Sequence, residues 1–379
     1  MEDFNSQSPR KKSLDFDVIV IGAGQCGLSI GYHLKKAKQR FVIVDAAEQV
    51  GQSWRERYDS LRLFTPNLLN ILPGAEFPPS NGVFPSKDEY ADYLLRYAQY
   101  HDLPIQLNTR VKLLQPAQIG FEVKTSYQTM TAAQVVVAIG AFHSKRVPSF
   151  CVNLSHDVFQ VHSTDYRRPS QMPAGADVLV VGAGNSGAQI AMELARNHKV
   201  YLSAGHSFYS SPSWLLESVW AWRLHRWRAR NLHRYLKMRL PLPWPIGSTQ
   251  QFFVPNFRRE RRKLRIQLVP RAVAADGNTV ELSDGQRLHV GAVVWATGFR
   301  PEYSWIKAPI IDENGSPMLE FQARAMRGLY FLGLRRQRTS SSSFILGVPS
   351  DAKYVAAMME KERIGQPPLG DPSISPSKA

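Results

Sequence analysis

Cysteine is nearly absent: 379 residues contain two, Cys26 and Cys151. They are too few and too far apart for a disulfide framework, and no Cys-X-X-Cys pair exists, which disfavours a dithiol redox cycle. Long apolar runs are missing too. Nothing approaches the roughly 18 consecutive apolar residues of a membrane span. The opening MEDFNSQSPRKK has no apolar stretch behind its charges, so no secretory leader is expected and a cytoplasmic location is. No metal site is expected. Acids are scarce relative to bases, 31 Asp and Glu against 47 Lys and Arg, for a formal charge of +16. That balance favours anionic partners such as nucleotide phosphates, acidic lipid, nucleic acid or an anionic substrate, without choosing among them. An apolar content of 44% suffices for the cores of two or three domains.

What is present is a glycine turn used twice. VIGAGQCG stands at 20–27 and VVGAGNSG at 180–187. The first follows a Val/Ile run, DFDVIVIG, of the kind expected for a strand buried on both faces. It precedes a segment apolar at Leu28, Ile30 and Leu34, which reads as a helix. A second run, FVIVD, ends in Asp45. Strand, turn, helix, strand and acid at this spacing predict a dinucleotide site. Gly22 makes the tight turn, Gly24 lets the backbone approach a pyrophosphate, and Gly27 lets helix and strand pack closely. Asp45 accepts the ribose hydroxyls, and the helix-start amides face the phosphates.

The second copy repeats the context, with DVLVV as strand, Gly182, Gly184 and Gly187 as turn, AQIAMELARN as helix and KVYLS as the next strand. Here Ser203 takes the position of the ribose acid. An acid there would repel a 2′-phosphate, so its absence favours NADPH, with NADH still open because no arginine stands beside it. His206 is the nearby candidate. Two such folds suggest FAD on the first and a nicotinamide nucleotide on the second, the second delivering a reductant to the cofactor held by the first.

Further along stand, in order, EQVGQSWRERYDSLRLFTP, VFPSKDEYADYLLRYA, VVVAIGAFHSKRVP, VHSTDYR, GAGNSGAQIAMEL, VVWATGFRPEYSWI, GLYFLGL and SSSFILGVPSDAKYVA. Through these the chain resembles the flavin-containing monooxygenases, in the branch with the plant auxin-synthesis enzymes and bacterial proteins associated with cation and arsenic resistance. The resemblance implies that Gly22, Gly24, Gln25, Gly27, Asp45, Glu48, Gly51, Trp54 and Asp351 contact FAD. It implies that Gly182, Gly184, Asn185, Ser186, Gly187 and His206 hold the nicotinamide nucleotide, and that Thr297 and Gly298 of ATGF lie near the flavin. The family's double glycine is Gly51-Gln52 here, and its FxGxxxHSxxY fingerprint survives as His162, Ser163 and Tyr166, with His156 and Val158 in the Phe and Gly positions.

The implied chemistry is reduction of FAD by NADPH, oxygen activation as a C4a-(hydro)peroxyflavin, and transfer of one oxygen atom to a small-molecule substrate. It needs little from titrating side chains. Asn185 is the candidate for a catalytic hydrogen bond, whereas His143, His162 and His206 read as structural. An NAD(P)H dehydrogenase passing electrons to a quinone at a membrane, and a flavin-binding regulatory protein without turnover, are the competing readings.

The expected fold is α/β: two Rossmann-like, three-layer dinucleotide-binding domains, the NAD(P) domain nested within the FAD domain. FAD-domain segments are expected at 14–147 and 268–365 around a nicotinamide domain at 148–267, between disordered termini at 1–13 and 366–379. ADGNTVELSDGQRLHV reads as a hairpin feeding the strand of ATGF. A basic, aromatic helical insert at about 208–265 interrupts the second domain. From 223 to 265 it carries thirteen Lys or Arg against one acid, Glu260. Leu216, Trp220, Leu224, Trp227 and Tyr235 form a helical stripe beside Arg223, Arg226, Arg230 and Arg234. It suits an active-site cap, a homodimer interface, or peripheral membrane contact through 214–265. Nucleic acid is not expected, since nothing else resembles a nucleic-acid module.

Overall fold

Strand Phe16–Ile21 runs with Phe41–Val44 on one side and Thr129–Val137 on the other, all parallel. The computed structural model describes residues 14–79, 82–140, 142, 144–205, 209–210, 251–252, 254, 256–300, 302–308, 326–334, 337–338 and 341–364. Ile105–Gln106 extends this first sheet past Phe41–Val44, and Leu329–Phe331 joins Thr129–Val137 in parallel. Alternate residues serve opposite faces, as the two-residue strand repeat requires. Val18, Val20, Ile43 and Val136 meet the helices Gln25–Lys36, Lys87–Tyr100 and Val348–Arg363. Ile19, Ile21, Val42, Val44, Val135 and Val137 meet a second layer containing Leu114, Phe121, Val123 and Met130. That layer is the antiparallel set Val111–Pro116, Phe121–Thr125 and the first half of Thr129–Val137. Both faces being covered is why the parallel strands read as unbroken apolar runs.

The second unit repeats the plan. Five parallel strands lie in the order Gln267–Val269, Val200–Ser203, Val178–Val181, Ala292–Trp295 and Phe159–His162. One face packs on helix Asn185–Leu194 through Ala188, Ile190, Ala191 and Leu194. The other packs on antiparallel Ala272–Asp276, Thr279–Leu282 and Arg287–His289 through Val280, Leu282 and Val290. The hairpin expected before ATGF is therefore present.

One boundary differs from the sequence-based division. The sequence pattern returns the chain to the first unit at 268, but the pairing of Ala292–Trp295 between Val178–Val181 and Phe159–His162 keeps it in the second sheet as far as Trp295. The apolar run VVW carries no mark of which sheet will hydrogen-bond it. Phe299–Arg300 then pairs antiparallel with Ser144–Lys145, so the outgoing and returning connections run side by side. Of the basic insert, helix Phe257–Lys263 is described and seats Phe257 fully buried in the second core. The stripe from Leu216 to Tyr235 lies outside the described residues.

Tyr58 ties the two units together. Its side chain is 3% exposed and packs in the second core against Tyr166, and its hydroxyl donates to Gln189 Oε1 at 2.8 Å. Gln189 Nε2 donates back to the Arg62 carbonyl, and Arg168 pairs with Asp59 at 3.0 Å. Tyr58→Ala should cost about 3–5 kcal/mol in urea unfolding and Tyr58→Phe about 1 kcal/mol, the first removing a buried ring and the second one hydrogen bond.

Candidate active site

The two glycine turns are the same object twice. Gly22 has φ +108°, and a β-carbon there would lie 2.8 Å from the Ala138 carbonyl oxygen; Gly182 has φ +104° and would meet the Ala296 oxygen at 2.4 Å. At Gly27 a β-carbon would fall 1.7 Å from the Gly22 oxygen, and at Gly187 1.9 Å from the Gly182 oxygen. Gly24 and Gly184 are different: a β-carbon at either meets nothing within 4 Å. The first and third glycines are thus required by the protein itself, while the middle one borders open space in front of a helix start. Neither helix has a side-chain cap or an acid in its first turn. Leading amides facing open space, with only hydrogen at the nearest Cα, fit the pyrophosphate of a dinucleotide in both units.

Asp45 follows Phe41–Val44 and stands beside the first turn, its carboxylate accepting from the Ala23 amide at 2.5 Å and the Ala47 amide at 2.8 Å. It braces the turn as well as offering oxygens to a ribose. Gln25 opens the helix and accepts a hydrogen bond from Trp54 Nε1 at 3.3 Å, and Trp54 rests edge-on against Tyr90. Gly51, at φ +87°, starts the short helix Gln52–Arg55. Gln52 is accommodated where the family has a second glycine, because its side chain accepts from the Glu48 amide and donates to Glu56. The Glu48 side chain is exposed. Asp351 is fully buried in the first turn of Val348–Arg363, which packs on the first helix, and Arg338 Nε lies 3.3 Å from its carboxylate. Of these, Asp45, Gln25 and Trp54 are tied to the first turn by the bonds above, and Asp351 lies close enough for its charge to act on Cys26 within it.

Burial, reinforced by the Asp351 charge, pushes the Cys26 thiol up to about 12. A thiol so disfavoured as thiolate, with Cys151 half-buried against the core of the other unit, carries no dithiol chemistry.

In the second unit Asn185 and Ser186 open the helix one turn before Gln189, so the Tyr58 bond falls next to them. Thr297 Oγ1 donates to the Arg146 carbonyl, and the Gly298 carbonyl accepts from Arg146 N and faces His162 Nε2. His162 is buried, and that burial lowers its pKa and favours the neutral ring. Tyr166 is fully buried and donates to Glu193 at 2.8 Å. His143 and His206 lie outside the described residues.

One expectation needs correction. Ser203 does not occupy the ribose-acid position. Gly22 N donates to the Val44 carbonyl and Gly182 N to the Ser203 carbonyl, so Ser203 matches Val44 and Ala204 matches Asp45. The Ser203 hydroxyl points toward the next strand instead, donating to the Pro270 carbonyl and accepting from the Ala272 amide. No acid stands at the position either way.

Sequence reasoning also missed a cluster between the units. The Arg57 guanidinium lies over the rings of Phe142 and Phe299, at 5.2 and 5.7 Å, and the two rings meet edge-on. Burial lowers the Arg57 pKa. The available signal was a second repeat: VAIGAF and WATGF both place Ala-X-Gly and then Phe after a buried strand, and Ala138 and Ala296 are the residues whose carbonyls crowd Gly22 and Gly182.

Gly27→Ala and Gly187→Ala should each lose about 3 kcal/mol or more in denaturant unfolding, while Gly24→Ala stays within about 1 kcal/mol of wild type. Gly184→Val should fold and keep its flavin absorbance but no longer bind a nicotinamide nucleotide; binding at wild-type strength would remove the pyrophosphate from that turn. At pH 8 a disulfide reagent should modify Cys151 in the native protein and leave Cys26 untouched until it unfolds.

The pyridine nucleotide-disulphide oxidoreductase family model matches residues 19–238. An uncharacterized CzcO-like oxidoreductase of Geobacillus kaustophilus is 41% identical, covering 89% of this chain and 97% of that protein. A probable indole-3-pyruvate monooxygenase of Arabidopsis thaliana, YUCCA8, is 27% identical over 86% of this chain and 85% of its own length. Among solved structures, a flavin-containing monooxygenase from Stenotrophomonas maltophilia superposes with a TM-score of 0.76 at 26% identity, covering 92% of this chain and 99% of that one. With matched nucleotide turns on two nested sheets and these relatives along nearly its whole length, the chain belongs to the pyridine nucleotide-disulphide oxidoreductase family, in its flavin monooxygenase branch, and is an oxidoreductase.

Proposed function

We propose that this protein is an FAD-dependent, NADPH-consuming monooxygenase that places one oxygen atom of O2 on a small organic or heteroatom substrate. The observation that carries the reading is the segment joining the two turns. Trp54 bonds to Gln25 at the start of the first nucleotide helix, and Tyr58 bonds to Gln189 in the second. Four residues span at most about 14 Å, so the starts of the two helices are held close by one short piece of backbone. Two dinucleotides with their pyrophosphates at these starts would be held side by side across the junction of the units.

When bound, the flavin supplies hydride acceptance and oxygen activation. The chain's own part is to bind and orient. The uncapped amides after Gly24 and Gly184 take the phosphates, and Asp45 supplies ribose acceptors in the first unit. Ala204 leaves room for a 2′-phosphate in the second. Asn185 opens the second helix, where its amide can hold the nicotinamide. The names of the plant and Stenotrophomonas relatives support oxygenation over electron transfer to a quinone.

The test is stopped-flow absorbance of the flavin-loaded protein, reduced anaerobically by NADPH or NADH and then mixed with oxygen. Faster reduction by NADPH is expected, followed by a near-ultraviolet band that persists before the oxidised spectrum returns. Direct return of the oxidised spectrum would overturn the oxygenase reading, and rapid reoxidation by a quinone would then identify a dehydrogenase.

A further inference from the structure

Absence of an acid at Ala204 permits a 2′-phosphate but attracts nothing, and the sequence offers no arginine beside that position. The fold brings one from the next strand. We propose that Arg271 recognises the 2′-phosphate of the pyridine dinucleotide and sets the preference for the phosphorylated cofactor, an inference that rests on the NADPH reading above.

Gln267–Val269 lies parallel to Val200–Ser203 at the sheet edge, with Ser203 opposite Val269 and the Ala204 amide donating to the Val269 carbonyl at 3.0 Å. Arg271 stands two residues beyond that strand's carboxyl end, the side on which open α/β sheets bind nucleotides. Its stem crosses Gly205, the residue after the position matching Asp45. A β-carbon placed on Gly205 would be 3.6 Å from Arg271 Cδ and 3.8 Å from Cγ. The side chain is exposed, and among the described residues its guanidinium has no ion-pair partner.

Its root is fixed. Pro270 precedes it, Ser203 Oγ donates to the Pro270 carbonyl at 2.9 Å and accepts from Ala272 N at 3.0 Å, and Ser283 N donates to the Arg271 carbonyl at 2.7 Å. Ser203 therefore contributes by positioning the arginine's backbone. A pinned root with an exposed guanidinium that has no ion-pair partner among the described residues suits bidentate binding of phosphate oxygens.

The first unit provides the control. There the Asp45 amide donates to the Gln106 carbonyl as Ala204 does to Val269, so Asn108 is the counterpart of Arg271. The two units differ at both positions in the same electrostatic direction: Asp45 with Asn108 in one, Ala204 with Arg271 in the other. The first pair suits ribose hydroxyls and repels phosphate, and the second does the reverse.

The experiment is calorimetric titration of the flavin-loaded protein with adenosine 2′,5′-bisphosphate and with adenosine 5′-diphosphate. Wild type should bind the 2′,5′-bisphosphate more tightly. Arg271→Ala should weaken that ligand by about 10- to 100-fold while changing the 5′-diphosphate by less than about twofold, with Arg271→Lys between. Its affinity should also depend less on salt. If wild type discriminates and Arg271→Ala discriminates equally, or loses both ligands in step, the assignment to Arg271 is overturned and the NADPH reading stands. If wild type does not discriminate, the NADPH reading falls and the assignment with it.

Discussion

Among the described residues, the glycines with least room for a side chain are those at the start of each nucleotide helix, against the turn that precedes it. Gly27 and Gly187 sit so near the carbonyls of Gly22 and Gly182 that no side chain fits. That contact seats each helix flush on its sheet and aims its first amides past Gly24 and Gly184 into open space. Remove the contact and the helix must back away, taking with it the positive end of its dipole. The buried faces around it are ordinary apolar packing, whereas the turn tolerates no such substitution.

The segment from Asp45 to Arg62 converts two separate turns into one site. It begins at the acid that braces the first turn, crosses Trp54 against Gln25, and ends with Tyr58 inside the second core. Arg57, between them, is spread over two rings that each unit contributes at the end of a buried strand. Sharing a guanidinium between Phe142 and Phe299 keeps a charge at the junction without an ion-pair partner among the described residues, at the scale of about 1–2 kcal/mol per partly desolvated contact.

Much of this was legible in the residues. The turns announced themselves because glycine identity, flanking Val/Ile runs and helix periodicity agree locally, and those signals need no tertiary information. Asp45 is legible from the spacing alone, Gln25, Trp54 and Asp351 only through the resemblance, and all four lie at or beside the first turn. Elsewhere local signals failed for identifiable reasons. The strand end at Ser203 looked like the acid position because the apolar run stops one residue earlier there than in the first unit, and only the hydrogen bond from Gly182 sets the register. The boundary at 268 was misplaced because a buried strand does not reveal its neighbours. Arg57, Phe142, Phe299 and Arg271 act through partners distant in sequence, which no window of the chain contains.

Nesting has a consequence for synthesis. Leu329–Phe331 completes the first sheet by pairing with Val135–Val137, strands separated by roughly 190 residues of chain that build the entire second unit. At about 5–20 residues per second, a ribosome delivers the completing strand roughly 10–40 s after its partner. During that interval the nascent first unit exposes one flank of a parallel strand and the apolar face awaiting Val348–Arg363. The second unit, whose five strands are contiguous in the chain, can finish first. The order of the chain therefore favours maturation from the middle outward, with the first unit the last to close.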